Sequence, residues 1–340
     1  MESGSGTSRQ RHSPIAARPG EVLSDVDQRL VAALQIAPRA SWQQIATALE
    51  VSESTASRRA KRLISSERVQ ISAMPDPLRC GLGFPVLMQV ECAVGAAGSV
   101  AQTLAARPDV RFVALLSGSY DLVVELVVPS RFHLGEVALN DLNKIPGIVR
   151  TTTEAVVRNF KTAYDWGRGL LGERAEVLPA TPSSPARQQG RPQDQSVDGQ
   201  DLTLIQLLAE DGRLSAAEMA KRSGLSESSV RRRLDSLTST GAVHFATFID
   251  PVLMGFEAPI FLWLDVDLSC LEDVAQALSD QREVRYVSAT AGDSDLIAEV
   301  MLPDLNRVYE FLTTVVGALP GVRRSEVGLE LGTVKRGYLT

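Results

Sequence analysis

A tandem duplication constrains this chain more than any other feature. The segment SESTASRRAKRL starts at Ser52, and SESSVRRRLDSL starts 174 residues later at Ser226 (226 − 52 = 174). The same offset holds without a gap from positions 27 and 201 to positions 147 and 321, and it repeats Gly118 as Gly292. Chance does not readily produce such a match. The sequence therefore predicts two copies of one unit.

Each duplicated segment has the pattern of a helix with one buried edge. The serine at its start suits a helix N-cap, because its hydroxyl accepts hydrogen bonds from the exposed backbone amides there. Apolar residues follow at spacings of four and three, as Ala56, Ala60 and Leu63 do in the first copy. This spacing predicts a single apolar stripe along the helix.

The side of this helix away from the stripe carries hydroxyl and guanidinium groups in both copies. Such a helix suits insertion into the DNA major groove, whereas the alternative is a solvated charged face. The predicted DNA-binding residues are Ser54, Thr55, Arg58, Arg59, Lys61 and Arg62 in the first copy and Ser228, Ser229, Arg231, Arg232 and Arg233 in the second. In the second copy we expect Arg232 to contact bases and Arg233 to be partly structural.

Two further helices precede each basic helix. In the first unit, Asp25 or Asp27 is the expected cap of a helix that Pro38 ends, and Ser41 caps a second helix. In the second unit, Asp201 and Ser215 start the corresponding helices. A tight turn joins the second helix to the basic one, which predicts a helix-turn-helix domain in each unit. Short extended pieces follow at 69–72 and 243–246, before an Asp-Pro and a glycine that suggest a hinge.

The rest of each unit alternates strand and helix signals in the order β-α-β-β-α-β of a ferredoxin-like fold. Predicted strands are 85–94, 110–116, 121–128 and 149–157 in the first unit and 260–266, 284–290, 296–302 and 322–329 in the second, with helices at 99–106, 130–142, 271–278 and 305–316. The predicted fold class is α+β, with two winged, three-helix helix-turn-helix domains that each precede a ferredoxin-like domain. The predicted divisions are a disordered tail (1–20), helix-turn-helix domains (21–74 and 200–248), ferredoxin-like domains (75–165 and 249–340) and a flexible linker (166–199).

Composition and charge exclude several classes of protein. No apolar run reaches the roughly 18 residues that a membrane span needs, and the N-terminus lacks a signal-peptide core, so a cytoplasmic location is expected. The three cysteines and three histidines are scattered, which argues against a metal site. The net charge of −6 argues against indiscriminate nucleic-acid binding but allows a local basic patch. Residues 52–65 contain four bases and one acid (+3), and residues 226–239 contain three bases and two acids (+1).

Each half resembles a complete regulator of the Lrp/AsnC family of transcription factors. The residues that carry the resemblance include Gly212-Arg213-Leu214-Ser215, Leu225-Ser226-Glu227-Ser228-Ser229-Val230, Gly241-Ala242-Val243, and the Gly-x-x-Asp turns at 118–121 and 292–295. The resemblance implies a regulator that binds double-stranded DNA, forms oligomers through its ferredoxin-like domains and senses an amino acid or similar small molecule. It also implies that one chain acts as a built-in pseudo-dimer. No cofactor is expected.

The predicted effector-binding residues lie in the two Gly-x-x-Asp turns. They are Gly118, Tyr120, Asp121, Gly292, Asp293 and Asp295. The aspartates are expected either to pair with the ammonium group of an effector or to accept from backbone donors. In the alternative, each turn only connects two strands, and its glycine takes a positive φ.

The two units differ in ways that predict unequal preferences for DNA half-sites. Glu67-Arg68 replaces the usual glycine stop that Gly241-Ala242 supplies, and Asp235 and Ser236 stand in place of Lys61 and Arg62. Sirohaem decarboxylases also resemble this family and can be built from two such units. Those enzymes place histidine and arginine near the effector-domain strands, but here residues 112–121 lack histidine, with Arg111 beside them and His133 on the next helix. The sequence therefore favours a regulator over an enzyme.

Overall fold

The computed structural model describes residues 21–162, 166–179 and 197–337. The predicted tail (1–20) lies outside these ranges. Both helix-turn-helix domains and both ferredoxin-like domains are present, which confirms the predicted fold class.

The first helix-turn-helix domain consists of α1 (Asp25–Ile36), α2 (Trp42–Leu49) and α3 (Glu53–Ser65). Ser41 and Ser52 cap α2 and α3, as predicted, by accepting from the amides of Gln44 and Thr55. The prediction for α1 was wrong, because the capping side chain is Ser24. Asp27 is instead buried and directed at α3.

The second domain repeats this arrangement, after the first ferredoxin-like domain, with α6 (Gly199–Glu210), α7 (Ala216–Ser223) and α8 (Glu227–Ser239). Asp198 caps α6, and Asp201 completes a capping box as the third helical residue. Ser215 and Ser226 cap α7 and α8 as predicted. The apolar cores of the two domains lie on the predicted stripes.

The extended pieces after the basic helices pair with each other across the two units. Strand β1 (Val69–Pro75) is antiparallel to β6 (Val243–Ile249), with Ser72 opposite Ala246. The sequence predicted a hinge between the two domains of each unit after these extended pieces; in the structure each piece finds its hydrogen-bonding partner in the other unit. This two-stranded ribbon joins the units between their helix-turn-helix and ferredoxin-like domains.

The first ferredoxin-like domain has the predicted topology. Its elements are β2 (Phe84–Cys92), α4 (Ala97–Ala105), β3 (Val110–Ser117), β4 (Leu122–Val128), α5 (Arg131–Glu136) and β5 (Ile148–Thr162). The predicted helix 130–142 is interrupted, since a π-helical turn (Val137–Asp141) and a short 3-10 turn (Leu142–Lys144) follow α5. The strand order is β3-β4-β2-β5.

The second domain matches it with β7 (Ile260–Val266), α9 (Leu271–Ser279), β8 (Val284–Ala291), β9 (Leu296–Val300), α10 (Leu305–Glu310) and β10 (Val322–Arg336). The two sheets join at both edges into a closed barrel of order β10-β3-β4-β2-β5-β8-β9-β7. One apolar cluster lies on each sheet beneath its helices. A third, aromatic cluster that includes Phe112, Phe261 and Trp263 fills the space between the sheets.

The last strand of each unit is longer than the sequence predicted. Strand β5 extends to Thr162, because its first part pairs with β2 and its second part pairs with β8 of the other unit. Strand β10 divides in the same way between β7 and β3. The edge strand of the opposite unit supplies the hydrogen bonds that extend each strand beyond its own sheet.

The prediction of a flexible linker was wrong for the first part of the segment 166–199. Residues 166–178 form two 3-10 turns that bury Trp166, Leu171, Ala175 and Leu178 in the core of the first helix-turn-helix domain. The Trp166 ring meets Phe256 edge-on at 5.1 Å between centroids. Apolar residues within a Gly- and Arg-rich segment provide this docking. Residues 180–196 of the predicted linker lie outside the described ranges.

Candidate nucleic-acid interface and ligand-binding turns

Helix α3 presents a polar face to solvent, and the apolar edge on its other side is buried in the core. Ala56, Ala60 and Leu63 are at most 4% exposed. Ser54, Arg58, Lys61 and Arg62 are exposed, whereas Thr55 and Arg59 are half-buried. Thr55 closes the first turn, since its hydroxyl lies 2.8 Å from that of Ser52.

Asp27 binds two of the predicted DNA-contacting arginines. Its Oδ1 accepts from Arg59 Nη1 at 3.0 Å, and its Oδ2 accepts from Arg62 Nη2 at 2.7 Å. The Asp27 side chain is 5% exposed, whereas the side chains of Arg59 and Arg62 are 32% and 61% exposed. Arg59 therefore joins α1 to α3. The helical spacing had suggested that Arg59 projects away from the apolar stripe, but its side chain is only partly exposed. Arg58 and Lys61 reach solvent.

Helix α8 has an equivalent internal contact. Arg233 donates to Asp201 at 2.8 Å and to Asp198 at 3.0 Å, which gives it the structural role that the sequence indicated. Arg231 pairs with Glu227 one turn earlier on the helix, and Arg232 is exposed. Ser228 is exposed as well, whereas Ser229 is half-buried in the first turn. DNA contact by any of these residues stays a prediction.

A reciprocal pair of arginines joins the two helix-turn-helix domains. Arg213 donates to the carbonyl oxygens of Pro38 at 2.6 Å and Ala40 at 2.7 Å. Arg39, at the equivalent position in the first unit, donates to the carbonyls of Gly212 and Leu214.

Each guanidinium of this pair also lies over an aromatic ring of the other unit. Arg213 is 4.0 Å from the centroid of Trp42, and Arg39 is 4.8 Å from that of Phe245. Burial lowers the pKa of both arginines. We call these two residues the arginine clasp. The clasp and the β1–β6 ribbon hold the two domains in one orientation relative to each other.

The aspartates of the two Gly-x-x-Asp turns bind backbone amides. Asp121 Oδ2 accepts from the amide of Cys92 at 2.6 Å, and Asp295 Oδ2 accepts from that of Val266 at 2.7 Å. Both aspartates therefore make the backbone contacts that the sequence left open as one alternative. Effector contact by either carboxylate stays a prediction.

The surroundings of the two turns differ. Gly118 has a φ of 127°, and Tyr120 is buried against Trp263 at 5.9 Å between centroids. Gly292 is not among the positive-φ glycines of the described chain. A glycine is needed there because the Glu154 side chain lies too close for a Cβ. A Cβ at this position would lie 2.4 Å from Glu154 Cγ. Asp293 is exposed beside Arg324, with 3.4 Å between Asp293 Oδ2 and Arg324 Nη2.

A cluster of buried charges closes the barrel end that faces the ribbon. Arg111 pairs with Glu125, and its equivalent Arg285 pairs with Glu299 at 3.4 Å. Arg336 reaches Glu299 at 2.8 Å. Although burial opposes ionisation, Arg285 and Arg336 together lower the pKa of Glu299. Burial raises the pKa of nearby Glu330 despite the opposing charge of Arg336.

Sequence reasoning missed this cluster because its members are far apart along the chain. Only the recurrence of Arg111 and Glu125 at the duplication offset could have signalled it. The ribbon adds His244, whose pKa falls to about 4 through burial and the charge of Arg111. A cavity of about 70 Å³ separates the cluster from the ribbon side chains Met74 and Phe248.

Neither a cluster of metal-ligating side chains nor a membrane-spanning helix is found in the described ranges. No group of three or more histidine, cysteine, aspartate or glutamate side chains there is placed to bind a metal ion. No helix in those ranges is long and apolar enough to span a membrane.

Comparisons with known proteins match both halves of the chain. The family model described as the Lrp/AsnC ligand binding domain matches residues 86–166 and 260–340, and the AsnC-type helix-turn-helix domain matches residues 23–64 and 197–238. An uncharacterized HTH-type transcriptional regulator of Pyrococcus furiosus is 30% identical over 143 residues, which are 42% of this chain and 97% of that protein. The HTH-type transcriptional regulator Ptr1 of Methanocaldococcus jannaschii is 30% identical over 142 residues, which are 42% of this chain and 96% of that protein.

Solved structures of one protein resemble nearly the whole chain. The sirohaem decarboxylase NirDL is similar over 92% of this chain and 93% of its own, with a TM-score of 0.58 and 14% sequence identity. At this identity the likeness is one of fold. It matches the arrangement of two complete units in one structure.

Proposed function

Because this chain belongs to the Lrp/AsnC family, with two copies of both family domains, we propose that it is a sequence-specific DNA-binding transcriptional regulator. The observation that carries the proposal is the exposed polar face of each basic helix. Arg58 and Lys61 on α3 and Arg232 on α8 point away from the protein core, where base edges and phosphates are accessible to them. These basic faces stand on a chain of net charge −6, which disfavours nonspecific binding elsewhere.

The two basic helices, α3 and α8, act as the DNA-binding helices of the two halves of a dimeric regulator do. The arginine clasp and the ribbon support this, because they fix the two domains relative to each other within one chain. The halves are unequal, since α3 carries more net positive charge than α8 and Arg62 has Ser236 as its counterpart. We therefore expect the first unit to bind phosphate more strongly.

The ferredoxin-like domains respond to an amino acid or a related small molecule in this proposal. The match of both domains to a ligand-binding family model supports it. The candidate contacts are the turns at 118–121 and 292–295. Ligand binding there would alter the barrel to which the ribbon and both DNA-binding domains are joined.

A gel-shift assay on the DNA upstream of the gene tests DNA binding. Arg58→Ala combined with Lys61→Ala should weaken the complex at least tenfold and reduce the salt dependence of log K by about 0.9 for each phosphate that is no longer neutralised. Lys144→Ala is the matched control, because it removes an exposed lysine from the ferredoxin-like domain. Equal shifts for all three proteins would refute the assignment of α3. Repeating the assay with single amino acids tests the effector.

Further assembly of chains is also part of the proposal. The sheet edges of the two ferredoxin-like domains already pair within one chain, so assembly requires another surface. Phe132, Leu139 and Tyr309 on the outer helices are more than 70% exposed and supply apolar contacts. Light scattering coupled to size exclusion should give a mass that is a multiple of 36.7 kDa, and Phe132→Ser should lower it. A single-chain mass for the unmodified protein would refute further assembly.

A sirohaem-decarboxylase-like activity is the second candidate, favoured by the likeness to NirDL over both units. The barrel-end charges argue against it. The guanidinium groups there are already paired with carboxyl groups, which leaves little net positive charge to bind a polycarboxylate tetrapyrrole; the paired residues are Arg111, Arg285, Arg336, Glu125, Glu299 and Glu330. The two adjoining cavities measure about 70 and 310 Å³, so the first is far smaller than the roughly 300–1,000 Å³ of sites for drug-sized ligands and the second is at the lower limit of that range. Titration with iron-uroporphyrin III should leave the Soret band unshifted, and a saturable shift would favour the enzyme.

A further inference from the structure

The duplication allows the two Gly-x-x-Asp turns to be compared position by position. Each turn lies against the long final strand of the other unit, and the strand residue that faces it differs. Glu154 on β5 faces the second turn, and the residue 174 positions later, Gly328 on β10, faces the first. One turn therefore meets a carboxylate, whereas the other meets a residue without a side chain.

Glu154 occupies the second turn in a specific geometry. Its residue is fully buried, and Oε1 accepts from the amide of Ser294 at 2.9 Å. Burial raises the pKa of Glu154, and the amides of Ser294 and Asp293 oppose that rise by stabilising the charged carboxylate. The Glu154 side chain passes so close to Gly292 that any Cβ there would overlap it.

At the first turn, aromatic side chains take the place of a carboxylate. A Cβ at Gly328 would lie 3.3 Å from Cζ3 of Trp263, and Tyr120 packs on the same indole. The counterpart of Trp263 in the first unit is Gln89, which is buried. The two units thus differ at two matched positions: the first unit has Gln89 and Glu154, where the second has Trp263 and Gly328.

We propose that the turn at 292–295 is a carboxylate-binding site whose resident ligand is the chain's own Glu154. The turn contributes backbone amides as donors, and β5 delivers the carboxylate from the other unit. An external carboxylate would have to displace a fully buried side chain, so this turn is closed to it. If the proposed effector response is correct, an effector carboxylate has only the first turn available, and the chain binds it with a stoichiometry of one.

Truncation of Glu154 should convert the turn into a site for a small external carboxylate. Glu154→Ala removes a group of the size and charge of acetate and leaves the amide donors in place. Acetate should therefore raise the unfolding temperature of this variant in a saturable way. At an acetate concentration ten times Kd, the unfolding equilibrium constant should fall about elevenfold. Sodium chloride at the same ionic strength serves as the salt control.

Leu87→Ala is the matched control variant. Leu87 is buried and lies opposite Glu154 in the β2–β5 register, so its truncation leaves an apolar space in the same region. Acetate should stabilise this variant no more than it stabilises the unmodified protein, because in both of them Glu154 still occupies the second turn. Equal responses of the two variants, or no response of Glu154→Ala, would overturn the proposal. Because the assay contains no DNA, its failure would leave the proposed DNA-binding function untouched.

Hydrogen exchange provides a test that does not depend on a variant folding. The Ser294 amide of the unmodified protein should be protected from exchange, because a buried carboxylate accepts from it. Glu154→Gln keeps an acceptor oxygen and should preserve that protection. Exchange of the Ser294 amide at the rate of an unstructured chain would overturn the proposal.

Discussion

Removal of the arginine clasp should uncouple the two DNA-binding domains from each other. Arg213→Ala removes two hydrogen bonds to the carbonyls of Pro38 and Ala40 and a contact with the Trp42 ring. Arg39→Ala removes the reciprocal set. The ribbon would still join the units and would keep its own contacts with each domain, such as Thr247 with the Leu34 carbonyl and Ser72 with the Ala209 carbonyl, but the contacts of the arginine clasp would be absent.

The magnitude follows from the contacts that each clasp arginine makes. A hydrogen bond from a charged donor contributes about 1.5–3 kcal/mol, and a cation–π contact contributes about 0.5–2 kcal/mol. Water replaces part of this stabilisation, because both clasp sites are only partly buried. We therefore take the low end of these values and expect each arginine to stabilise the joined domains by about 3 kcal/mol. This corresponds to a change on the order of 100-fold in the equilibrium between joined and separated domains.

The assay compares DNA that carries two half-sites with DNA that carries one. Affinity for the two-half-site DNA should fall by up to this factor in Arg213→Ala, whereas affinity for a single half-site should not change. Arg29→Ala is the control, because Arg29 pairs only with its helix neighbour Asp25 among the described ion pairs. If Arg213→Ala and the double variant with Arg39→Ala bind two-half-site DNA as tightly as the unmodified protein, the reasoning is refuted.

Three further predictions concern stability. Glu67 takes a φ of 58° where the second unit has Gly241, so Glu67→Gly should raise the unfolding free energy by about 0.5–1 kcal/mol in urea titrations; a decrease would contradict this. Asp27→Ala should lower it by about 2 kcal/mol, less than a fully buried ion pair because its arginines are partly exposed, and the exposed Asp25→Ala should change little. The pKa of His244 is lowered to about 4 from its usual 6.5, so its stabilising contribution is present above pH 6.5 and is lost as the pH falls towards 4, by up to about 3 kcal/mol. His244→Gln should flatten the stability profile in that interval, and an unchanged profile would show that another group titrates there.

The sequence predicted the local elements well because their signals lie within a few residues. Helix stripes, serine caps and strand alternation are encoded over one or two turns, and Ser41, Ser52, Ser215 and Ser226 all cap as expected. The errors at this level involve side chains recruited by distant partners. Asp27 had the composition of a cap, but two arginines of α3 bind its carboxylate instead.

The candidate sites were predicted as sets of residues but not as arrangements. Helical spacing placed Arg58, Arg59 and Arg62 on one face, and only the folded domain distinguishes the exposed Arg58 from Arg59, which is bound to Asp27. The turns were located from their glycines and aspartates. Their different occupants depend on β5 and β10 crossing between the units.

Two copies of a helix-turn-helix and a ferredoxin-like domain are evident from the amino-acid sequence, since periodicity, caps and the 174-residue offset are properties of the chain alone. Tertiary structure decided how the copies combine: the ribbon, the closed barrel, the arginine clasp and the contact of Glu154 with Ser294. These contacts join residues more than 100 positions apart. Their geometry depends on the closure of the two units on each other, and no local pattern encodes it.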